Sequence, residues 1–169
     1  MVGDSHLARV RGHRLGALEA ALGCPVVNLA VGGANVRDVA AQLDGAPADV
    51  DRVLLSVGTN DAAPWKQVPL PEFTVLFAAL VALLPGRLLY VASPGVVESR
   101  TAPGDRTLAG LAAYTEVARA AVARVGGQTL ETPRLLGGLG DAAFEDDGLH
   151  LSEPAYDLLL GALSLSRPR

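Results

Sequence analysis

The chain has 169 residues, half of them apolar and 19% charged, with a formal net charge of -4, a pI near 5.3 and a mean hydropathy of +0.31. That composition supports one domain over 1–169 with a sizeable core and excludes a disordered chain. The acidic balance argues against nucleic acid or an anionic membrane as the main partner.

One cysteine, Cys24, allows no internal disulfide, and its place before an apolar run predicts a small buried hydrophobe. No basic leader followed by an apolar segment opens the sequence. The longest apolar stretch, 75–84, is too short to span a bilayer and stops at Pro85 and Gly86. The expectation is a cytoplasmic protein with no membrane span.

Short apolar runs alternate with helical patterns, which predicts an α/β fold with a parallel sheet. A very short strand at Met1 and Val2 leads into Gly3. Leu7, Val10, Leu15, Leu18 and Leu22 fall at helical spacing, with Gly23 as a stop. Residues 25–31 (PVVNLAV) read as a buried strand, and Val36, Val39, Ala40 and Leu43 as one face of a helix. Val53 to Val57 forms the clearest strand. A Pro-rich connection follows, then a helix over 71–84, a strand over 87–93, a helix near 105–125 closed by Gly126 and Gly127, and a short strand over 128–132. Ser152 is placed to cap a terminal helix with Pro154 in its first turn.

Four stretches fall at predicted strand ends and hold complementary chemistry. Ser5, in Gly3-Asp4-Ser5-His6, would follow the first strand, where such folds form their sites. A serine hydroxyl needs a base, an orienter for that base, and donors for the oxyanion that develops. Asp147-Gly148-Leu149-His150 supplies the first two: on a tight turn Asp147 accepts from Nδ1 of His150, leaving Nε2 for the Ser5 proton. Asp146 is the competing orienter. Asn60, in Gly58-Thr59-Asn60-Asp61, offers a neutral amide donor, and an N–H of Gly32 or Gly33 offers another. Alone, the Ser5, Gly32–Gly33 and Asn60 stretches read more readily as a cap, a turn or a loop, and the Asp147–His150 stretch equally well as a solvated loop. Their joint completeness favours catalysis.

These four stretches, GDSH at 3–6, NLAVGGAN at 28–35, GTND at 58–61 and DGLH at 147–150, resemble the ordered blocks of the SGNH (GDSL-type) hydrolases. The resemblance implies a flavodoxin-like three-layer α/β/α sandwich with a parallel sheet of about five strands. It also implies ester hydrolysis through an acyl-enzyme, with no metal and no other cofactor. Carried over by position, Ser5 is the nucleophile, His150 the base and Asp147 its orienter. Gly33, Asn60 and the Ser5 amide become the oxyanion donors. Ala30 stands where many members carry glycine, which keeps Gly32 as the alternative to Gly33.

His6, Gly32 and Trp65 are candidates for lining the substrate pocket, and Arg100 reads as a solvated loop arginine. The nearest approach to a Gly-x-Ser-x-Gly elbow, 91–95, lacks the first glycine and has proline after the serine. His6, His13 and His150 show no metal-ligand spacing, and His13 reads as a surface residue. The expected activity is a serine esterase acting on a small or carbohydrate-linked acyl ester, such as an acetyl ester. Thioesterase, lysophospholipase or acyltransferase chemistry would use the same residues. A non-catalytic binding domain is the reading from another class.

Overall fold

Side-chain alternation along two apolar runs builds the two faces of the sheet. The computed structural model describes residues 1–66 and 68–165. Among them, strands β1 (Val2–Gly3), β2 (Arg52–Ser56), β3 (Arg87–Val91) and β4 (Gln128–Leu130) pair in parallel and in chain order. Val53 and Leu55 of β2, with Leu88 and Tyr90 of β3, point into one core. Leu54, Leu89 and Val91 point into the other. Both faces must then be covered, and helices cover them.

On the first face lie α3 (Val39–Leu43), α4 (Leu70–Leu83) and α5 (Leu108–Arg124). Phe73 and Phe77 of α4 are fully buried there, and Phe77 meets Tyr90 edge-on at 5.5 Å between ring centroids. Burying each such side chain contributes roughly 1.5–3 kcal/mol. On the second face lie α1 (Ser5–Ala8), α2 (His13–Leu22), α6 (Thr132–Leu136) and α7 (Glu153–Leu165), with Leu7, Leu18, Leu136, Tyr156 and Leu159 packed together. The result is the expected α/β/α sandwich. No helix among the described residues is long and apolar enough to cross a membrane.

The sheet has four strands instead of about five because 25–31 runs beside β1 without strand geometry. Leu29 and Val31 donate their amides to the Met1 and Gly3 carbonyls at 2.8 and 2.9 Å. The Gly3 amide, however, goes to the side chain of Gln42 at 2.6 Å, and the Gln42 amide returns a bond to the Gly3 carbonyl at 2.9 Å. That side chain replaces one rung of the ladder. The segment is also partly exposed, not buried: Val27 and Val31 are 43% and 56% accessible. Counted with the strands, it makes the flavodoxin order 2-1-3-4-5.

Other departures are local. The helix expected over 7–22 breaks into α1 and α2, since Gly12 takes a φ of +58° between them. The helix expected from Val36 starts at Val39, because Asn35 and Asp38 close a turn, with the Asn35 amide on Asp38 Oδ2 at 2.8 Å. Residues 132–143 form α6 and a 3₁₀ segment (Gly137–Ala143), where the sequence pattern predicts only the end of a short strand. Ser152 donates its hydroxyl to the Ala142 carbonyl at 2.7 Å. Cys24 is exposed, because 25–31 lies at the sheet edge.

Candidate active site

Strand register brings three of the four motifs to one level. Gly3 pairs with Ser56 of β2, and on its other side its carbonyl accepts from Val31. Ser5 and Gly33 each lie two residues beyond that rung, and Asn60 four residues beyond it. All are past the carboxyl ends of parallel strands, at the switch point where the flanking connections diverge. Gly3 has no alternative, since a Cβ there would stand 1.9 Å from the Ser56 carbonyl oxygen. A groove lined by Val26, Pro47, Val50 and Arg87 opens at the opposite edge of the sheet, away from these residues.

Asp4 is fully buried behind Ser5 and caps α1. Its Oδ1 accepts the His6 amide at 3.1 Å and the Ser56 hydroxyl at 3.0 Å, and stands 3.3 Å from His6 Nδ1. Asn28 holds the other end of the turn, donating to the Leu7 and Val10 carbonyls at 2.8 and 2.9 Å. With four residues, α1 adds little dipole, so the useful donor at Ser5 is its own amide. Among the described residues, the Ser5 hydroxyl and amide have no hydrogen-bond partner. His6 is 1% exposed and therefore does not line a pocket. Its Nε2 instead lies 3.4 Å from the Leu149 carbonyl, joining the Ser5 turn to the fourth motif.

That motif is a turn organised by Asp147. Its Oδ1 accepts the Leu149 and His150 amides, both at 2.9 Å, while Oδ2 lies 2.5 Å from Nδ1 of His150. Burial would raise this carboxyl, but the His150 amide, the His150 ring and the Leu149 amide outweigh it and hold it at about 2. The carboxylate is thus ionised across the neutral range and keeps the Nδ1 proton between them. Gly148, at a φ of +68°, is packed too tightly for a side chain, as a Cβ would sit 2.8 Å from the Val97 carbonyl oxygen. Arg9 pairs with Glu145 at 2.8 Å, and Tyr156 donates to the His6 carbonyl at 3.1 Å. No hydrogen bond among the described residues joins the Ser5 hydroxyl to the His150 ring. Asp146 is exposed on the same loop.

On the other side of Ser5, the Asn60 side chain is buried and donates one amide hydrogen to the Ala34 carbonyl at 2.9 Å. The second amide hydrogen is free for another acceptor. Gly33 takes a φ of +78°, whereas Gly32 is exposed, with nothing within 4 Å of where a Cβ would stand. Trp65 lies on the loop after β2 and is 58% exposed. Arg100 is exposed and donates to the Asp141 carbonyl at 3.2 Å, as a solvated loop residue would. Glu145, Asp147 and His150 offer ligand atoms within 4.8 Å of one another. A cation held there would compete with the Asp147–His150 hydrogen bond.

The fold is shared with solved ester hydrolases. The structure matches a lipase/acylhydrolase from Enterococcus faecalis with a TM-score of 0.83 at 20% identity, over 97% of this chain and 92% of that one. It matches the acetylxylan esterase Axe2 from Geobacillus stearothermophilus with a TM-score of 0.75 at 20% identity, over 99% and 93%. An α/β hydrolase from the metagenome of Lake Arreo, Spain, matches at 0.76 and 19% identity, over 99% and 94%. At these identities the likeness is one of fold. No curated protein matches the sequence. The profile of the GDSL-like lipase/acylhydrolase family, however, matches residues 2–158, and the chain belongs to that family. It is a serine hydrolase of ester bonds.

Asp61 is the site residue that sequence reading passes over as part of a loop. It is 1% exposed, and its two oxygens accept the Val36 amide at 2.8 Å and the Gly58 amide at 2.9 Å. One carboxylate therefore ties the Gly33 loop to the Asn60 turn. Burial pushes its pKa up to about 6, against the opposing effect of the amide hydrogen bonds from Val36 and Gly58. A raised folded-state value means that the folded protein holds this proton more tightly than the unfolded chain. The associated stability is full below the ordinary carboxyl range and is lost as pH rises through about 6. Relative to Asp61→Asn, the wild type should lose roughly 2 kcal/mol between mildly acidic and neutral pH. Urea unfolding at both pH values measures this, and a constant gap would place the titration elsewhere.

Proposed function

We propose that the protein hydrolyses small or carbohydrate-linked acyl esters, acetyl esters foremost, through an acyl-enzyme on Ser5, with 1–169 acting as one catalytic domain. The reading rests on one observation above all. His150 has Nδ1 fixed 2.5 Å from Asp147, on a turn that is itself fastened to the Ser5 turn through His6 and Leu149. Its Nε2 has no partner among the described residues.

In this mechanism Ser5 Oγ attacks the ester carbonyl while its proton passes to Nε2 of His150. The Ser5 amide, the Gly33 amide and the second Asn60 hydrogen receive the negative charge on the carbonyl oxygen. The imidazolium then protonates the departing alcohol, leaving the acyl group on Ser5. A water enters, gives its proton to Nε2, and adds to the acyl carbon. Collapse of that intermediate breaks the bond to Oγ, which regains its proton from His150. Asp147 accepts from Nδ1 throughout and offsets the charge of the imidazolium. The carbohydrate preference is supported by the exposed Trp65 ring, on the same loop as Asn60, and by the acetylxylan esterase among the structural neighbours.

Ser5→Ala is expected to abolish 4-nitrophenyl acetate hydrolysis and labelling by a fluorophosphonate probe; labelling that persists would dismiss Ser5 as the nucleophile. Asn60→Ala should lower kcat by about 10²–10³, the scale for loss of one oxyanion donor. A loss smaller than about tenfold counts against that role. Asp147→Asn should cost far more activity than Asp146→Asn in steady-state assays, and the reverse order would reassign the orienter.

A further inference from the structure

The loop after β2 places a second group of side chains at the mouth of the site. Lys66 brings Nζ within 3.6 Å of the position a Gly33 Cβ would occupy. Among the described residues no carboxylate pairs with this ammonium. The preceding residue, Trp65, exposes 58% of its surface while its ring stands 5.1 Å from the guanidinium carbon of Arg106. Arg106 comes from the connection between β3 and α5 and is only 5% exposed. Its Nε and backbone amide both donate to Asp105 Oδ1, at 2.9 and 2.5 Å, while Nη1 has no partner among the described residues. Leaving a guanidinium N–H buried and unpaired is unfavourable, and an aromatic face offsets only part of that.

We propose that Lys66, Trp65 and Arg106 form a subsite for a carboxylate carried by the ester substrate, so that the enzyme prefers acyl esters bearing one negative charge. This rests on the reading of Ser5 as an esterase nucleophile. The charges of Lys66, Arg106 and Asp105 add to a single positive charge, which matches a carboxylate better than a dianion. In a protein of net charge -4, an anion is otherwise repelled, so an ammonium beside Gly33 with no carboxylate partner among the described residues steers it to the mouth. Lys66 makes the first contact. The carboxylate then reaches the edge of the Arg106 guanidinium by displacing the rim of the indole. Arg37 does not contribute, because its guanidinium is engaged by Glu72 at 2.7 Å.

The test compares matched pairs of esters. On the alcohol side these are 4-acetoxybenzoate and 4-acetoxybenzamide; on the acyl side, the 4-nitrophenyl half-ester of glutaric acid and 4-nitrophenyl pentanoate. In wild type, kcat/KM should favour the anion in one pair, which also reveals where the carboxylate is carried. Lys66→Met should lower that anion-to-neutral ratio by about tenfold or more, the scale of one charge-assisted hydrogen bond, and Lys66→Arg should restore it. Trp65 is the only tryptophan in the chain, so its fluorescence reads binding without turnover. In Ser5→Ala protein the amide analogue of the preferred anionic ester (4-acetamidobenzoate for the alcohol-side pair, the mono-anilide of glutaric acid for the acyl-side pair) should shift that emission, and its neutral counterpart (4-acetamidobenzamide or pentananilide) should not. A shift without esterase activity in wild type would uphold the subsite and sink the esterase reading. No preference in either pair, a ratio unmoved by Lys66→Met, or equal shifts from both amides would overturn the subsite.

Discussion

The site depends on the hydrogen-bonded register at Gly3. Its neighbours Asp4 and Val31 bond to Ser56 and to Gly3 itself, and Gln42 takes both the Gly3 amide and its carbonyl. In a parallel sheet every strand ends at the same edge, so fixing one rung fixes the height of each following turn. Ser5, Gly33 and Asn60 lie within a few residues of that rung. A slip of one residue would turn Ser5 toward the opposite face.

Two buried carboxylates convert this register into fixed positions. Burying a carboxylate is costly unless hydrogen bonds compensate it. Asp4 recovers part of that cost at Oδ1, from the His6 amide and the Ser56 hydroxyl, while its Oδ2 has no partner among the described residues; Asp61 is compensated by the Val36 and Gly58 amides. What results is a set of backbone turns that cannot relax independently. Donors held in place before the reaction need no reorganisation as charge develops, which is where such groups gain their catalytic advantage. The contrast with Asp147 is instructive. It is more exposed, its pKa is lowered instead of raised, and its partner is the His150 ring.

Much of the fold and of the candidate site was legible in the sequence, because nucleophile chemistry would demand particular side chains. Ser5, Asn60, Asp147 and His150 could be read from residue type and from their places after apolar runs. β2, β3, α4 and α5 were legible because Val, Leu and Phe repeat at clear periods. The break between α1 and α2 was not, since Leu7, Val10 and Leu18 keep a helical spacing across a glycine whose conformation is set by packing. The edge segment 25–31 has a strand's composition, yet a side chain from α3, Gln42, occupies a rung of its ladder. Asp61 was hidden for a related reason. Both of its partners are backbone amides, and one lies 25 residues away.

The contacts that fasten the turn carrying His150 to the turn carrying Ser5 join residues 136 to 150 positions apart: Arg9 to Glu145, His6 to Leu149, and Tyr156 to His6. Closing loops of that length costs entropy before any contact repays it, so such pairings form late in folding. A ribosome-bound chain can therefore complete most of the sheet and the Phe73–Phe77–Tyr90 layer before the Asp147–His150 turn reaches Ser5. In the proposed mechanism, competence to cleave an ester would arrive only when α7 docks. Until then, on that mechanism, the nascent polypeptide would stay chemically silent toward the acyl groups around it.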